Sequence, residues 1–311
     1  MRHGVRGARL AAAGLAAALA AALPGGAAAQ DGLQEPPRTR LESRWDLDGS
    51  RSQDEFFPRP YKPVYLLPAT HTDGLNLRPT SPSALRNADE DQLIRHTEAK
   101  YQLSFKSKIA HDIQDTPLSL WGGYTQSSRW QVYNGAVSRP FRETNYEPEV
   151  MLVWPLSQPL AGGTLRMASL ALNHQSNGRS LPLSRSWNRW IATLAWEREG
   201  WTVEARPWWR INESAAEDDN PDILDHVGRG ELIVSHHWGE GPQAGALVLQ
   251  LRHSLRGGAR SRGSAQLEWA FPLRGSLHGW VQVFSGHGES LVDYNHRQTK
   301  VGIGFTIAGW R

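Results

Sequence analysis

The sequence predicts an all-β fold, a 12-stranded antiparallel transmembrane β-barrel with short periplasmic turns and longer extracellular loops. Apolar and polar residues alternate with a period of two from Tyr101 to the C-terminus, as they do in strands with one apolar face. Beyond the first 29 residues no apolar run approaches the roughly 18 residues of a membrane-spanning helix. Connections between the predicted strands are alternately short and long, which is typical of outer-membrane barrels.

The N-terminus has the features of a secretory signal peptide. Three arginines among the first nine residues precede an apolar run of Ala, Leu and Gly over 10–23, and the alanines at 27–29 suit a signal-peptidase site. That apolar run is too short to cross a bilayer as a helix. We therefore expect Sec-type export, with cleavage after Ala29.

Three regions follow from this division of the chain. Residues 1–29 are the predicted signal peptide. Residues 30–60, rich in charge and proline, are predicted to form a loosely ordered periplasmic N-terminal arm. Residues 61–311 are predicted to form the barrel, with a catalytic site on its outer, lipid-facing wall. The expected location is the outer membrane of a bacterial cell.

The charge balance gives no support for a nucleic-acid partner. The first 29 residues hold three of the 34 Lys and Arg and none of the 31 Asp and Glu, so the remainder carries 31 of each sign. The high isoelectric point therefore comes largely from the signal segment. Cysteine is absent, which excludes disulfides and thiolate metal ligands in this exported chain.

The strands themselves are read from the alternation. Near the C-terminus, for example, Val301, Ile303, Phe305 and Ile307 alternate with Gly and Thr. The predicted strands are 61–72, 99–109, 117–127, 147–157, 163–174, 187–197, 201–211, 228–238, 243–253, 264–272, 276–286 and 298–309. A soluble two-sheet protein would show the same alternation, and it is the connection lengths that favour the barrel. Charged residues of the polar face can then pair inside the lumen.

Three polar residues interrupt the apolar face of two neighbouring strands. His174 and Ser176 continue the alternation of the apolar residues Leu170 and Leu172, and Asn188 lies on the apolar face of the next strand. Because side chains alternate along a strand, all three are expected on the outer wall, at the end that bears the long loops. The alternative interpretation is a polar cluster at the base of a loop.

The three residue types suit acyl transfer. Ser176 would attack an ester carbonyl, His174 would take its proton and return it to the leaving alcohol, and Asn188 would hold the imidazole in one tautomer. A neutral Asn stabilises an imidazolium less than Asp would, but desolvating a carboxylate beside lipid is costly.

Five segments resemble the outer membrane phospholipase A family. They are YTQSSRWQVYN (124–134), SRPFRETNYEPE (138–149), NHQSNGRSLPLSRSWNRW (173–190), DDNPDI (218–223) and SGHGESLVDYNHRQTKVGIG (285–304). The resemblance implies a calcium-dependent barrel that hydrolyses acyl esters of phospholipids and lysophospholipids and is activated by forming a homodimer. It also implies His174 as base, Ser176 as nucleophile and Asn188 as the orienting residue.

Calcium ligands also follow from the resemblance. It implies the hydroxyl of Ser184, the carbonyl of Arg179 and, from the partner subunit, the hydroxyl of Ser138. Asp219 matches a residue of an accessory site outside the dimer, and its alternative is an Asx-rich turn. Leu181 stands where family members often have Asp, which puts the accessory site in question more than the dimeric one.

Two further functions remain as alternatives. A non-enzymatic outer-membrane channel needs an open lumen, whereas the inward positions of Glu204, Arg206, Trp208 and Arg210 predict a filled one. A structural barrel would not depend on Ser176. A soluble hydrolase is disfavoured because no G-x-S-x-G segment occurs in the chain.

Overall fold

A closed barrel of twelve antiparallel strands forms the wall of the molecule, in a computed structural model that describes residues 38–49 and 55–308. Each wall strand pairs with its neighbours in sequence, and the last pairs with the first to close the barrel. The predicted fold class is confirmed. The predicted signal peptide lies outside the described residues, so the proposed division at residue 29 remains a prediction.

The elements, in chain order, are α1 (Arg40–Trp45), β1 (Arg59–Pro60), β2 (Val64–Thr72), β3 (Thr97–Ala110), β4 (Ser119–Trp130), β5 (Phe141–Leu160), β6 (Gly163–Ser176), β7 (Ser186–Arg198), β8 (Trp201–Ile211), α2 (Ile223–His226), β9 (Gly230–Trp238), β10 (Gly245–His253), β11 (Gly263–Arg274), β12 (Leu277–His287) and β13 (Arg297–Ala308). The wall consists of β2 to β13, and each overlaps the strand predicted for it. Single turns of 3-10 helix lie at Ile113–Asp115, Gly135–Val137, Gly241–Gln243 and Gly258–Arg260.

The connections alternate in length around the barrel. Those at one end are 111–118, 161–162, 199–200, 239–244 and 275–276; those at the other are 73–96, 131–140, 177–185, 212–229, 254–262 and 288–296. Consecutive strands are antiparallel, so every longer loop is at the same end. We call these the short-turn end and the long-loop end. Among the described residues, no helix has the length and apolar character that membrane crossing requires.

Strand β5 shows how the two faces of the wall differ. Val150, Leu152 and Trp154 are 40–50% exposed, whereas Met151 and Val153 between them are at most 2% exposed. Large apolar side chains thus face outward, where a soluble protein would have polar ones. The outer wall is suited to contact with lipid.

Ion pairs fill much of the lumen. Glu289, from the loop that follows β12, accepts from Arg129, Lys100 and Lys300 at 2.8, 2.9 and 3.0 Å. Lys300 also pairs with Glu98 at 2.9 Å. The charges of this cluster are therefore paired with one another, as burial of charge generally requires.

The lumen next to β8 is filled as expected. Glu204, Arg206 and Trp208 are 4–6% exposed. A cavity of about 170 Å³ remains among polar side chains of the interior. The interior thus resembles a packed core more than an open channel.

Helix α1 packs into the lumen at the short-turn end. A reciprocal pair of hydrogen bonds between Thr39 and Glu42 caps it, and Leu41 and Trp45 are buried. The Leu41 N–H donates to Glu197 at 3.1 Å, at the short-turn end of β7. This part of the predicted arm is more ordered than the sequence suggested, because its two apolar side chains face the barrel interior.

Candidate active site

His174 and Asn188 lie side by side on the outer wall. They are directly paired in the register of β6 and β7, which brings facing side chains close together. His174 Nδ1 and Asn188 Oδ1 are 2.8 Å apart. Both side chains are partly buried. The structure therefore joins two of the three predicted catalytic residues by a hydrogen bond.

Ser176 ends strand β6 on the same face. It lies two residues beyond His174, which separates their Cα atoms by about 7 Å along a strand. Its side chain is partly buried, and its register partner on β7 is Ser186. Within residues 38–49 and 55–308, the Ser176 hydroxyl makes no hydrogen bond. Catalytic hydrogen bonds are often long or poorly aligned until substrate is present.

The surroundings of these three residues are apolar. Leu170 and Leu172 precede His174 on the same face and are 45% and 43% exposed. Trp190 and Trp209 form a register pair next to Asn188 and are 44% and 57% exposed. These three polar side chains are thus set into an apolar wall at the long-loop end.

One further side chain contacts this group. Glu213, in the loop that follows β8, accepts from Asn188 Nδ2 at 2.9 Å. Sequence reasoning did not identify it, since the contact joins residues 25 apart and no motif surrounds Glu213. Asn188 therefore has both ends of its amide occupied, one by His174 and the other by Glu213.

The loop 177–185 holds two of the predicted calcium ligands. The Asn177 side chain fastens both ends of this loop, because its Oδ1 accepts from the N–H groups of Arg179 and Arg185 at 3.3 and 3.0 Å. The buried guanidinium of Arg185 donates to the carbonyls of Pro182 and Ser184 at 3.1 and 2.6 Å. The backbone of this loop is thereby held in one conformation.

Ser184 and Asp219 are brought together by the fold. The Ser184 hydroxyl donates to Asp219 Oδ2 at 2.7 Å, and the Ser186 hydroxyl lies 3.4 Å from the same oxygen. The other oxygen of Asp219 accepts from Arg86 Nε at 2.9 Å. Asp219 is therefore close to the predicted ligand Ser184, with much of its charge already compensated.

The remaining predicted ligands are placed differently. Ser138 is exposed in the loop 131–140, and in the described part of the chain its side chain forms no hydrogen bond with Arg179 or Ser184. Because it is exposed, the Ser138 side chain can be reached by another subunit. Leu181 is 49% exposed in the loop 177–185. Because it is a leucine, it offers no carboxylate at this position.

The available donors suit a hard cation. The described residues contain no group of three or more His, Cys, Asp or Glu side chains placed to hold a metal. Hydroxyl and carbonyl oxygens of the 177–185 loop, with Asp219 next to Ser184, are donors of the kind that calcium prefers. Few of them are charged, so the residues present fit calcium with modest affinity.

A family model and two relatives that match this chain carry the same description. The family model described as Phospholipase A1 matches residues 41–307. Phospholipase A1 of Klebsiella pneumoniae is 38% identical over 290 residues, covering 92% of this chain and 94% of that protein. Phospholipase A1 of Escherichia coli K12 is 38% identical over 248 residues, with 80% of each covered.

Solved structures agree with these relatives. The chain is similar to outer membrane phospholipase A from Escherichia coli, with a TM-score of 0.72 and 36% identity over 82% of this chain and 93% of that one. It is also similar to a Salmonella typhi outer membrane phospholipase, described as a dimer with bound calcium, with a TM-score of 0.75 and 35% identity over 88% and 100%.

Proposed function

Since this chain belongs to the phospholipase A1 family and is a carboxylic ester hydrolase, we propose that it is a calcium-dependent phospholipase of the bacterial outer membrane. Its substrates are the acyl esters of phospholipids and lysophospholipids. One observation carries the proposal: the hydrogen-bonded pair of His174 and Asn188 lies on the same outer face as Ser176. Because the family consists of hydrolases, this assignment favours an enzyme over a non-enzymatic channel or a structural barrel.

The catalytic cycle uses these three side chains in turn. Ser176 Oγ attacks the ester carbonyl while His174 Nε2 takes its proton, and collapse of the tetrahedral intermediate returns that proton to the leaving alcohol. Water, deprotonated by His174, then releases the fatty acid and restores Ser176. Asn188 Oδ1 accepts from Nδ1–H throughout, which keeps Nε2 free to act as base.

The position of the site favours a lipid substrate. Acyl chains can lie against the apolar outer wall formed by residues such as Leu172 and Trp190, so the ester reaches Ser176 without crossing the lumen. Burial of these chains against the wall contributes binding free energy in proportion to the apolar area covered. Insertion into the outer membrane after Sec-type export, with removal of residues 1–29, belongs to the same proposal.

Calcium would be held beside this group. We assign its ligands as the Ser184 hydroxyl, the Arg179 carbonyl and the hydroxyl of Ser138 of the partner subunit, with Asp219 available in the absence of a partner. When bound, calcium supplies positive charge close to the oxygen on which negative charge develops during acyl transfer. This sharing of ligands makes hydrolysis depend on the homodimer.

A complementation experiment tests the shared site. Ser138→Ala and Ser176→Ala proteins are each expected to release fatty acid from lysophospholipid at a small fraction of the wild-type rate. Refolded together with calcium, they form mixed dimers in which one subunit has an intact triad and receives Ser138 from the other. Activity should recover to about a quarter of wild type, since statistical pairing makes about half the dimers mixed, and each mixed dimer has one complete site out of two.

Two results contradict the proposal. One is full activity of the Ser138→Ala protein alone, and the other is no recovery in mixed dimers that crosslinking shows to be present. Chelation of calcium should abolish the recovered activity, and restored calcium should return it. Ser261→Ala, a substitution in the separate loop 254–262, is the matched control and is expected to behave as wild type.

A further inference from the structure

Asn188 is the middle member of a row of three hydrogen-bonded side chains. Its Oδ1 lies 2.8 Å from His174 Nδ1, and its Nδ2 donates to Glu213 Oε1 at 2.9 Å. Glu213 is partly buried and lies two residues beyond the end of β8. The row leads from the wall residue His174 to a carboxylate in the loop 212–229.

The carboxylate determines which way the amide points. An ionised carboxylate can only accept hydrogen bonds, whereas an amide has one end that donates and one that accepts. The Asn188 nitrogen must therefore face Glu213, which leaves its oxygen facing His174. Because that oxygen only accepts, Nδ1 of His174 carries the proton and Nε2 is left as the base.

Glu213 also supplies negative charge at one remove. A hydrogen bond to an ionised acceptor is stronger than a neutral one, and neighbouring hydrogen bonds in a row polarise one another. The Asn188 oxygen thereby becomes a better acceptor and stabilises the imidazolium that forms when His174 takes a proton.

Three charged groups surround Glu213: Arg210, whose Nη2 is 3.7 Å from Oε2, and Asp218 and Asp219 of its own loop.

We propose that Glu213 is a positioning residue of the catalytic group, acting on His174 through Asn188. This inference rests on the proposed function. It gives a chain with a neutral orienting residue part of the electrostatic benefit that an aspartate would provide, while keeping the carboxylate in a loop and off the lipid-facing wall.

The pH dependence of Glu213 follows from its surroundings. Burial raises the pKa of the Glu213 carboxyl above its ordinary value, and Arg210 and the Asn188 hydrogen bond oppose this only in part. Glu213 supports His174 only when ionised. Its contribution is therefore present above its own pKa and is lost as the pH falls through that value.

The test compares Glu213→Gln with Glu217→Gln. Both remove one negative charge from the same loop, but Glu217 is exposed and its carboxylate accepts from Ser214 at 3.1 Å. We expect Glu213→Gln to lower kcat by about tenfold with KM within about twofold of wild type, because the glutamine oxygen can still accept from Asn188 but no longer carries the charge that strengthens this hydrogen bond. Glu217→Gln is expected to match wild type in both.

Two further readouts separate positioning from mere structure. Removing the charge destabilises the His174 imidazolium, so the apparent pKa on the acid limb of kcat/KM should move to lower pH. In an Asn188→Ala background, Glu213→Gln should have no further effect on kcat, because the connecting residue is gone. An unchanged acid limb, or an equal tenfold loss in that background, overturns the inference.

The outcomes also distinguish this inference from the proposed function. Ser176-dependent hydrolysis by wild type with no difference between Glu213→Gln and Glu217→Gln contradicts the inference alone. An altered calcium requirement in Glu213→Gln, with kcat restored at saturating calcium, assigns Glu213 to the metal and also overturns it. A correctly folded wild type without hydrolysis contradicts the proposed function itself. Heat-modified gel migration checks that each barrel has folded.

Discussion

Replacing Ser176 by alanine is expected to reduce kcat for lysophospholipid hydrolysis by on the order of 10³-fold or more. The substitution removes the oxygen that forms the acyl-enzyme, and neither His174 nor Asn188 can substitute for it. Substrate contact with the apolar wall remains, so lipid binding should change little. The measurement is fatty acid release from mixed micelles by refolded protein in the presence of calcium.

The control and the contradicting outcome are both simple. Ser261→Ala removes a hydroxyl from another loop of the long-loop end and should leave the rate unchanged. A Ser176→Ala protein that folds, binds lipid and still hydrolyses it within tenfold of wild type would show that another group attacks the ester. Two nearby serines that could then be tested are Ser184 and Ser186.

Replacing Glu289 by glutamine is expected to lower the free energy of unfolding by about 3–5 kcal/mol. Its carboxylate is fully buried and contacts three cations, Arg129, Lys100 and Lys300, at 2.8–3.0 Å. Neutralising it leaves these cations buried with less compensation, which costs more than the lost hydrogen bonds. Denaturant unfolding of the refolded barrel measures the difference.

Acid should remove this contribution. Burial would raise the pKa of the Glu289 carboxyl, but Arg129, Lys100 and Lys300 outweigh burial and hold it well below the ordinary range. Because the pKa of Glu289 is lower in the folded barrel than in the unfolded chain, its ionised carboxylate stabilises the barrel fully at pH values above the unfolded-state pKa of about 4.3. This stabilisation is lost as the pH falls through the folded-state pKa. The difference between wild type and Glu289→Gln should therefore be largest at neutral pH and shrink in acid.

An exposed pair provides the comparison. Glu199 lies 3.7 Å from Arg198 with 80% of its side chain exposed, and such surface pairs contribute between about 0 and 1 kcal/mol. Glu199→Gln should thus unfold close to wild type. Equal unfolding free energies for Glu199→Gln and Glu289→Gln would contradict the role assigned to the lumen network.

The sequence was most informative where side chains repeat regularly. Alternation along each strand located all twelve wall strands, and its continuation into His174 and Ser176 placed them on the outer face. The pairing of His174 with Asn188 was also accessible, because a single loop joins β6 to β7 and fixes which strands are neighbours. Regular geometry therefore allowed both the fold and the pair at the wall to be predicted.

Contacts between loops could not be predicted from the alternation of side chains along strands. Asp219 meets Ser184 and Arg86, which are 35 and 133 residues away, and no periodicity relates the loops that carry them. Glu213 was missed for the same reason. A short capping pattern at Thr39 and Glu42 could have indicated α1, but its place inside the lumen depends on the closed barrel around it.

Covalent labelling shows most directly whether Ser176 is the nucleophile. A fluorophosphonate with a long alkyl chain would be added to refolded protein in calcium, and peptide mass spectrometry would locate the adduct. We expect labelling at Ser176 alone, approaching one equivalent per active subunit and strongly slowed in His174→Ala. Labelling of Ser184 or Ser186 with Ser176 unmodified, in an enzyme that hydrolyses lipid, would contradict the assignment of Ser176 as nucleophile.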